Sequence, residues 1–215
     1  MTAALANPAR RFHRYLAAAD DAPQGPIAAE RADRAAIAAI LGDAATHQGL
    51  ALLADPLAPA ALEDALLADG PLVFLDQATD PQNVGAVLRS ACAFGAAGVV
   101  LTDRGAPPES GALAKAASGA LEITPVIRVV NLARAMDEAK AAGRWVLGLD
   151  GATDTLLAEA KPDAPIALVL GAEGAGLRRL TRERCDLLAR LPIRPEMESL
   201  NLSNAAAIAL YELAR

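Results

Sequence analysis

The last quarter of the chain constrains the fold most. Two short apolar runs, Leu168–Leu170 and Leu187–Leu191, each stop at a chain-breaking residue, Gly171 and Pro192. The first run opens onto a glycine-rich turn with a single acid, Gly171-Ala172-Glu173-Gly174-Ala175-Gly176-Leu177. The second opens onto a polar loop carrying Ser199, Asn201, Ser203 and Asn204, which leads into the nearly all-apolar helix Ala205–Leu213. Continuous apolar runs of this length read as strands buried on both faces of a parallel sheet. Loops at the C-terminal ends of such strands make the ligand crevice of an open α/β sheet.

The preceding sequence supports that sheet. From Leu72 onward, strands are expected at Leu72–Leu75, Gly98–Leu101, Trp145–Leu149, Ile166–Leu170 and Leu187–Leu191. Between them lie helical stretches: Val84–Phe94 with Asn83 as its cap, Ser110–Ala117, and a helix capped by Asn131 and closed at Gly143. Leu121–Val130 reads as extended around Pro125. Alternating strands and helices mean an α/β fold, a mostly parallel sheet with helices on both faces. The turn Asp69-Gly70-Pro71 marks the expected start of this domain, residues 71–215. Before it, residues 27–70 form a small α/β region with a helix ending at Gly42, a strand Leu50–Leu53 and a helix Ala60–Leu67. Residues 1–26, with Pro8, Pro23, Gly25 and Pro26 and no periodicity, read as a loose arm.

Composition narrows the class. With 215 residues, 53% hydrophobic but only 3% aromatic, the chain can bury an alanine-, leucine- and valine-rich core. No apolar run approaches the roughly 18–20 residues that span a bilayer, and no secretory h-region follows the N-terminal charges. Two isolated cysteines, Cys92 and Cys185, make neither a disulfide framework nor a metal site. A cytoplasmic protein without a metal is expected. The net charge of −6 argues against a general nucleic-acid binder. Local arginine clusters at Arg10, Arg11, Arg14, Arg31 and Arg34, and at Arg178, Arg179, Arg182 and Arg184, read singly as solvated helix faces.

Three stretches carry candidate chemistry. In Asn83–Arg89, the arginine lies nearly two turns into an apolar helix, where it must find an anion or stay exposed. Taken alone, the segment also fits a capped helix with a surface arginine. The Gly171–Leu177 turn is neither a GxGxxG fingerprint nor a P-loop, since no GK[ST] follows. Its acid suits a cationic or hydroxyl-bearing ligand, or a solvated tight turn. In Ser199–Asn204, four polar residues exceed what one helix cap requires.

In this order the three stretches resemble the three motifs of the SpoU (TrmH-like) branch of the SPOUT RNA methyltransferases. The matching residues are Asn83, Gly85 and Arg89; Gly171, Glu173, Gly174, Gly176 and Leu177; and Leu191-Pro192 with Ser199-Leu200-Asn201. The resemblance covers Leu72 to Arg215. His47-Gln48-Gly49 is similar to a segment in the N-terminal substrate domain of the 23S rRNA guanosine 2′-O-methyltransferase subgroup.

The resemblance implies a ribose 2′-O-methyltransferase that uses S-adenosyl-L-methionine, with a C-terminal trefoil knot, acting as a homodimer with its site at the dimer interface. Large-subunit rRNA is the favoured substrate and tRNA the runner-up, with neither DNA nor membrane as a partner. It implies that Gly171, Leu191 and Leu200, with Gly148 and Gly174, hold the cofactor. Arg89, Glu173, Ser199 and Asn201 would surround the reacting ribose, and Asn83 and Arg89 would hold substrate. Two family positions depart: the places of a methionine and a glycine hold Ile193 and Pro195. A proline fixes φ and removes an N–H, so a different loop path is expected there. A knot-bearing protein that binds RNA or cofactor without catalysis, and an α/β nucleotide enzyme unrelated to RNA, are the alternatives.

Overall fold

The computed structural model of the chain describes residues 1–42, 46–194, 196–197 and 199–215. Contacts divide the chain into two compact units, Met1–Ala58 and Pro59–Arg215. No helix of the described residues is long and apolar enough to cross a membrane.

The first unit holds α1 (Thr2–Ala6), β1 (Phe12–Ala17), β2 (Glu30–Arg31), α2 (Arg34–Leu41) and β3 (Leu50–Ala54). Its three strands lie in the order β2-β1-β3, with β1 parallel to β2 and antiparallel to β3. The expectation of a loose arm over residues 1–26 is therefore corrected: β1 is the central strand, and Tyr15, Leu16 and Ala17 are buried. The strand escaped the sequence reading because it does not alternate. His13 and Arg14 occupy one exposed end, paired with Asp55 and Glu30, and the apolar residues crowd the other. The expected α2 is capped by Asp33, whose side chain accepts from Ala36 N, and stops at Gly42 with φ +84°. His47-Gln48-Gly49 makes a left-handed turn into β3, with φ +49° at Gln48 and +82° at Gly49.

The second unit adds α3 (Leu62–Leu67), β4 (Leu72–Leu75), α4 (Pro81–Ala93), β5 (Gly98–Thr102), α5 (Gly111–Ala117), β6 (Val126–Val129), α6 (Leu132–Ala141), β7 (Trp145–Leu149), α7 (Leu157–Ala160), β8 (Ile166–Leu170), α8 (Arg179–Glu183), β9 (Leu187–Ala189) and α9 (Leu202–Ala214). The sheet order is β6-β5-β4-β8-β7-β9, and every pairing is parallel. Alternate residues of β4 feed opposite cores. Val73 and Leu75 pack with α4, α5 and α9, while Leu72 and Phe74 pack with α3 and α6. Both faces are covered, which is why β4 and β8 read as unbroken apolar runs.

The boundary expected at Asp69-Gly70-Pro71 lies instead between Ala58 and Pro59. The turn is real, with Gly70 at φ +89°, but α3 before it belongs to the larger unit, where Leu62 and Ala65 are buried against the sheet. Arg144, only 3% exposed, ties this corner together. Its guanidinium donates to the carbonyls of Ala65 (3.1 Å), Leu66 (3.1 Å), Gly70 (2.8 Å), Ile166 (3.4 Å) and Ala68. It thereby satisfies the carbonyls that the end of α3 leaves open.

Strand order reverses about β4. The chain steps from β4 to β5 and β6 on one side, then crosses to β7, β8 and β9 on the other. The C-terminal ends of β4 and β8 lie side by side at this switch point, with Asp76 N donating to Leu170 O at 2.8 Å. Ligands of open parallel sheets bind in such a crevice.

Candidate active site

The helix that carries the first motif begins earlier than the sequence suggested. Asp80, not Asn83, is the cap: its side chain accepts from Gln82 N, and Pro81 takes the first helical position. Asn83 therefore sits in the first turn, released from capping. Its Nδ2 donates to Glu173 Oε1 at 3.0 Å. Gly85 of the same motif serves packing: a Cβ there would lie 2.4 Å from Leu113 O and 2.7 Å from Ala116 Cβ, so α5 rests on α4 at backbone distance.

Asn201 caps α9, which starts at Leu202 rather than Ala205. Its Oδ1 accepts from Ser203 N (2.9 Å), Asn204 N (3.4 Å) and Ser203 Oγ (2.6 Å). Its Nδ2 donates to Asn83 Oδ1 at 3.0 Å and to Glu173 Oε1. The amide of Leu202 donates to the same Glu173 Oε1 at 3.1 Å. One carboxylate oxygen thus joins the start of α4, the turn after β8 and the start of α9. The capping bonds contribute about 1 kcal/mol to α9. Burial of Leu202 and Leu210 contributes roughly 1.5–3 kcal/mol each, so packing holds the helix and the cap sets where it begins.

The glycine turn has a shape only small residues permit. A Cβ on Gly171 would lie 2.1 Å from Gly176 C, and Gly174 and Gly176 adopt φ +74° and +65°. Gly176 N donates to Ala172 O at 2.9 Å, closing the turn on itself. Glu173 at its crest is exposed. Leu191 and Leu200, at the two ends of the polar loop, are half-buried, as is Ile193, whose N–H donates to Leu191 O at 2.9 Å. Ser199 is exposed. Pro195, the second departure from the family pattern, lies outside the described residues. Gly148 is buried in β7, and a Cβ there would meet Cys185 Sγ at 2.7 Å and Leu177 Cδ1 at 2.8 Å. Internal packing alone is enough to require that glycine.

Arg89 stands apart from the cluster. It lies six residues beyond Asn83, about 9 Å along the helix axis. It is exposed, and among the described residues it makes no hydrogen bond or ion pair. The sequence reading missed Asp76. Directly after β4, it is fully buried, and its Oδ1 lies 2.6 Å from Arg178 Nη2. Arg178, read from sequence as one of four solvated arginines, is exposed as expected but is ion-paired to this acid. A lone acid immediately after an all-apolar strand was the available signal.

Residues 70–211 match the model of the SpoU rRNA Methylase family. The chain belongs to that family. Among SpoU relatives, a 23S rRNA (guanosine-2′-O-)-methyltransferase RlmB of Coxiella burnetii is 49% identical over 144 residues, covering 67% of this chain and 58% of that protein. The chain thus spans less than two thirds of that relative's length. The RlmB of Ralstonia nicotianae is 42% identical over 210 residues, 96% of this chain and 83% of that protein. An AdoMet-bound rRNA methyltransferase from Sinorhizobium meliloti shares the SpoU fold at a TM-score of 0.79 and 25% identity, over 95% of this chain and 80% of that one.

Proposed function

We propose that this SpoU protein transfers a methyl group from S-adenosyl-L-methionine to a ribose 2′-hydroxyl of 23S rRNA, at a guanosine. The observation that carries the reading is the convergence of Asn83, Glu173 and Asn201, drawn from three motifs up to 118 residues apart, into one hydrogen-bonded cluster at the switch point. The names and identities of its relatives support the substrate, and the AdoMet-bound neighbour supports the cofactor.

The residues present fit that cofactor. A glycine turn with open positive-φ crests offers backbone rather than bulk, and the half-buried Leu191, Ile193 and Leu200 of the loop after β9 offer apolar surface. Gly171, Gly174, Leu191 and Leu200 would hold it, with Gly148 keeping β7 slim beneath. When bound, it supplies a methyl group already activated on a sulfonium. The chain must align a hydroxyl with that methyl and take away its proton. Arg89, exposed and unpaired among the described residues, is suited to grip the target phosphate or the oxygen on which negative charge develops. It does not act as a base, because a guanidinium is not deprotonated in proteins. Glu173 commits Oε1 to three donors, so Oε2 is the oxygen available to a proton. Ser199 lies two residues before Asn201, where it can orient the ribose.

The same reading includes the trefoil knot and a homodimer in the cytoplasm. On α9, Ile208 and Tyr211 are 45% and 53% exposed, and Tyr211 meets Phe94 edge-on at 6.0 Å. This apolar strip suits a second copy. Sedimentation at micromolar concentration should give the dimer mass, and a monomer would refute that part. The test of the activity is methyl transfer from labelled cofactor to large-subunit rRNA. Alkali-stable label supports it, and label confined to tRNA would move the substrate.

A further inference from the structure

The glycine turn needs an anchor that glycines cannot provide. Gly171, Gly174 and Gly176 allow its path but do not favour it over others, since glycine retains the most backbone freedom when unconstrained. Its upstream end is fixed by β8. Its downstream end is Arg178, and both the backbone and the side chain of that residue are held by Asp76. Asp76 Oδ2 accepts from Arg178 N at 3.0 Å, and Oδ1 accepts from Arg178 Nε at 2.7 Å. Asp76 is itself pinned to the other strand through its N–H to Leu170 O. A carboxylate removed from water persists only when paired and hydrogen-bonded. Here the pair spans 102 residues and closes the base of the turn that carries Glu173.

We propose that Asp76 and Arg178 are a positioning pair for the transfer reaction. They fix the turn so that Glu173 Oε1 stays on Asn83, Asn201 and the amide of Leu202. The pair acts through Glu173 and touches neither cofactor nor ribose. The proposal rests on the methyltransferase reading for its kinetic test but not for its structural one.

The variants are Asp76→Asn, Arg178→Met and Arg178→Lys. Arg178 is 48% exposed in its side chain, so its substitutions offer folded proteins if Asp76→Asn fails to fold. In the protein without cofactor, amide hydrogen exchange at Gly176 and Leu202 should quicken by about 10- to 100-fold, the worth of a hydrogen bond to a charged group. Amides of β4 should keep their wild-type rates. Uniform acceleration, or none at Leu202, would overturn the proposal in favour of general stabilisation or no role. In turnover, kcat should fall on the order of 100-fold, as for a displaced catalytic constellation. Arg178→Lys should recover part of the loss. Combining Arg178→Met with Glu173→Gln should cost no more than Glu173→Gln alone, and additive losses would refute action through Glu173. If the wild type transfers no methyl group, the proposed function fails, and the exchange rates still decide the pair.

Discussion

Asn201 has two jobs that a single substitution can separate. Its Oδ1 caps α9, and its Nδ2 donates to Glu173 and Asn83. Asn201→Asp keeps the cap, because aspartate and asparagine cap equally well. It replaces the donor with a carboxylate oxygen facing the Glu173 carboxylate. The lost hydrogen bonds cost about 1 kcal/mol at this exposed position. Two charges near 4 Å repel by about 1 kcal/mol in water and about 4 kcal/mol in partly protein surroundings. The cluster lies at the surface, so the repulsion falls in the lower half of that range, near ~2 kcal/mol, for a total of about 3 kcal/mol at pH 7. Asn201→Ser, which keeps a capping oxygen without the new charge, should lose only about 1 kcal/mol. Urea unfolding at pH 7 measures both losses. Equal midpoints for the Asp and Ser variants at pH 7 would show that Glu173 does not face residue 201.

Three further outcomes are expected. Arg144→Met strands the buried carbonyls of Ala65 and Ile166 and should cost about 3–5 kcal/mol, lowering Tm on the order of 10 °C by calorimetry; a shift under ~2 °C would contradict the role given to its guanidinium. Gly171→Ala places a Cβ 2.1 Å from Gly176 C, so the turn must open, and calorimetric binding of S-adenosyl-L-methionine should be lost while far-UV circular dichroism is retained. Burial pushes the Cys185 thiol up to about 12, so at pH 8 it stays protonated, and iodoacetamide should label it in urea but not in the native protein.

The sheet was legible because its strands are buried on both faces and punctuated by breakers. Leu72–Leu75 and Ile166–Leu170 lie where the apolar runs placed them. The start of α4 differs from the expected Asn83 cap because Asp80-Pro81 supplies a cap followed by a first-turn proline. β1 was invisible because its polar and apolar residues segregate along the strand instead of alternating. The motif resemblance marked Asn83, Glu173 and Asn201, but not that they bond to each other. Nor could it show that Asp76 and Arg178 meet. Those contacts depend on β4 lying beside β8, which the order of elements along the chain does not reveal.

The most direct test of the central claim compares wild type with Arg89→Ala, using labelled S-adenosyl-L-methionine and bacterial 23S rRNA. Arg89 is exposed and has no partner among the described residues, so its loss should leave folding and cofactor binding intact. Wild type should yield one alkali-stable 2′-O-methylguanosine, and the variant should lose at least ~100-fold in rate. Label on a base, or a variant as active as wild type, would contradict the claim.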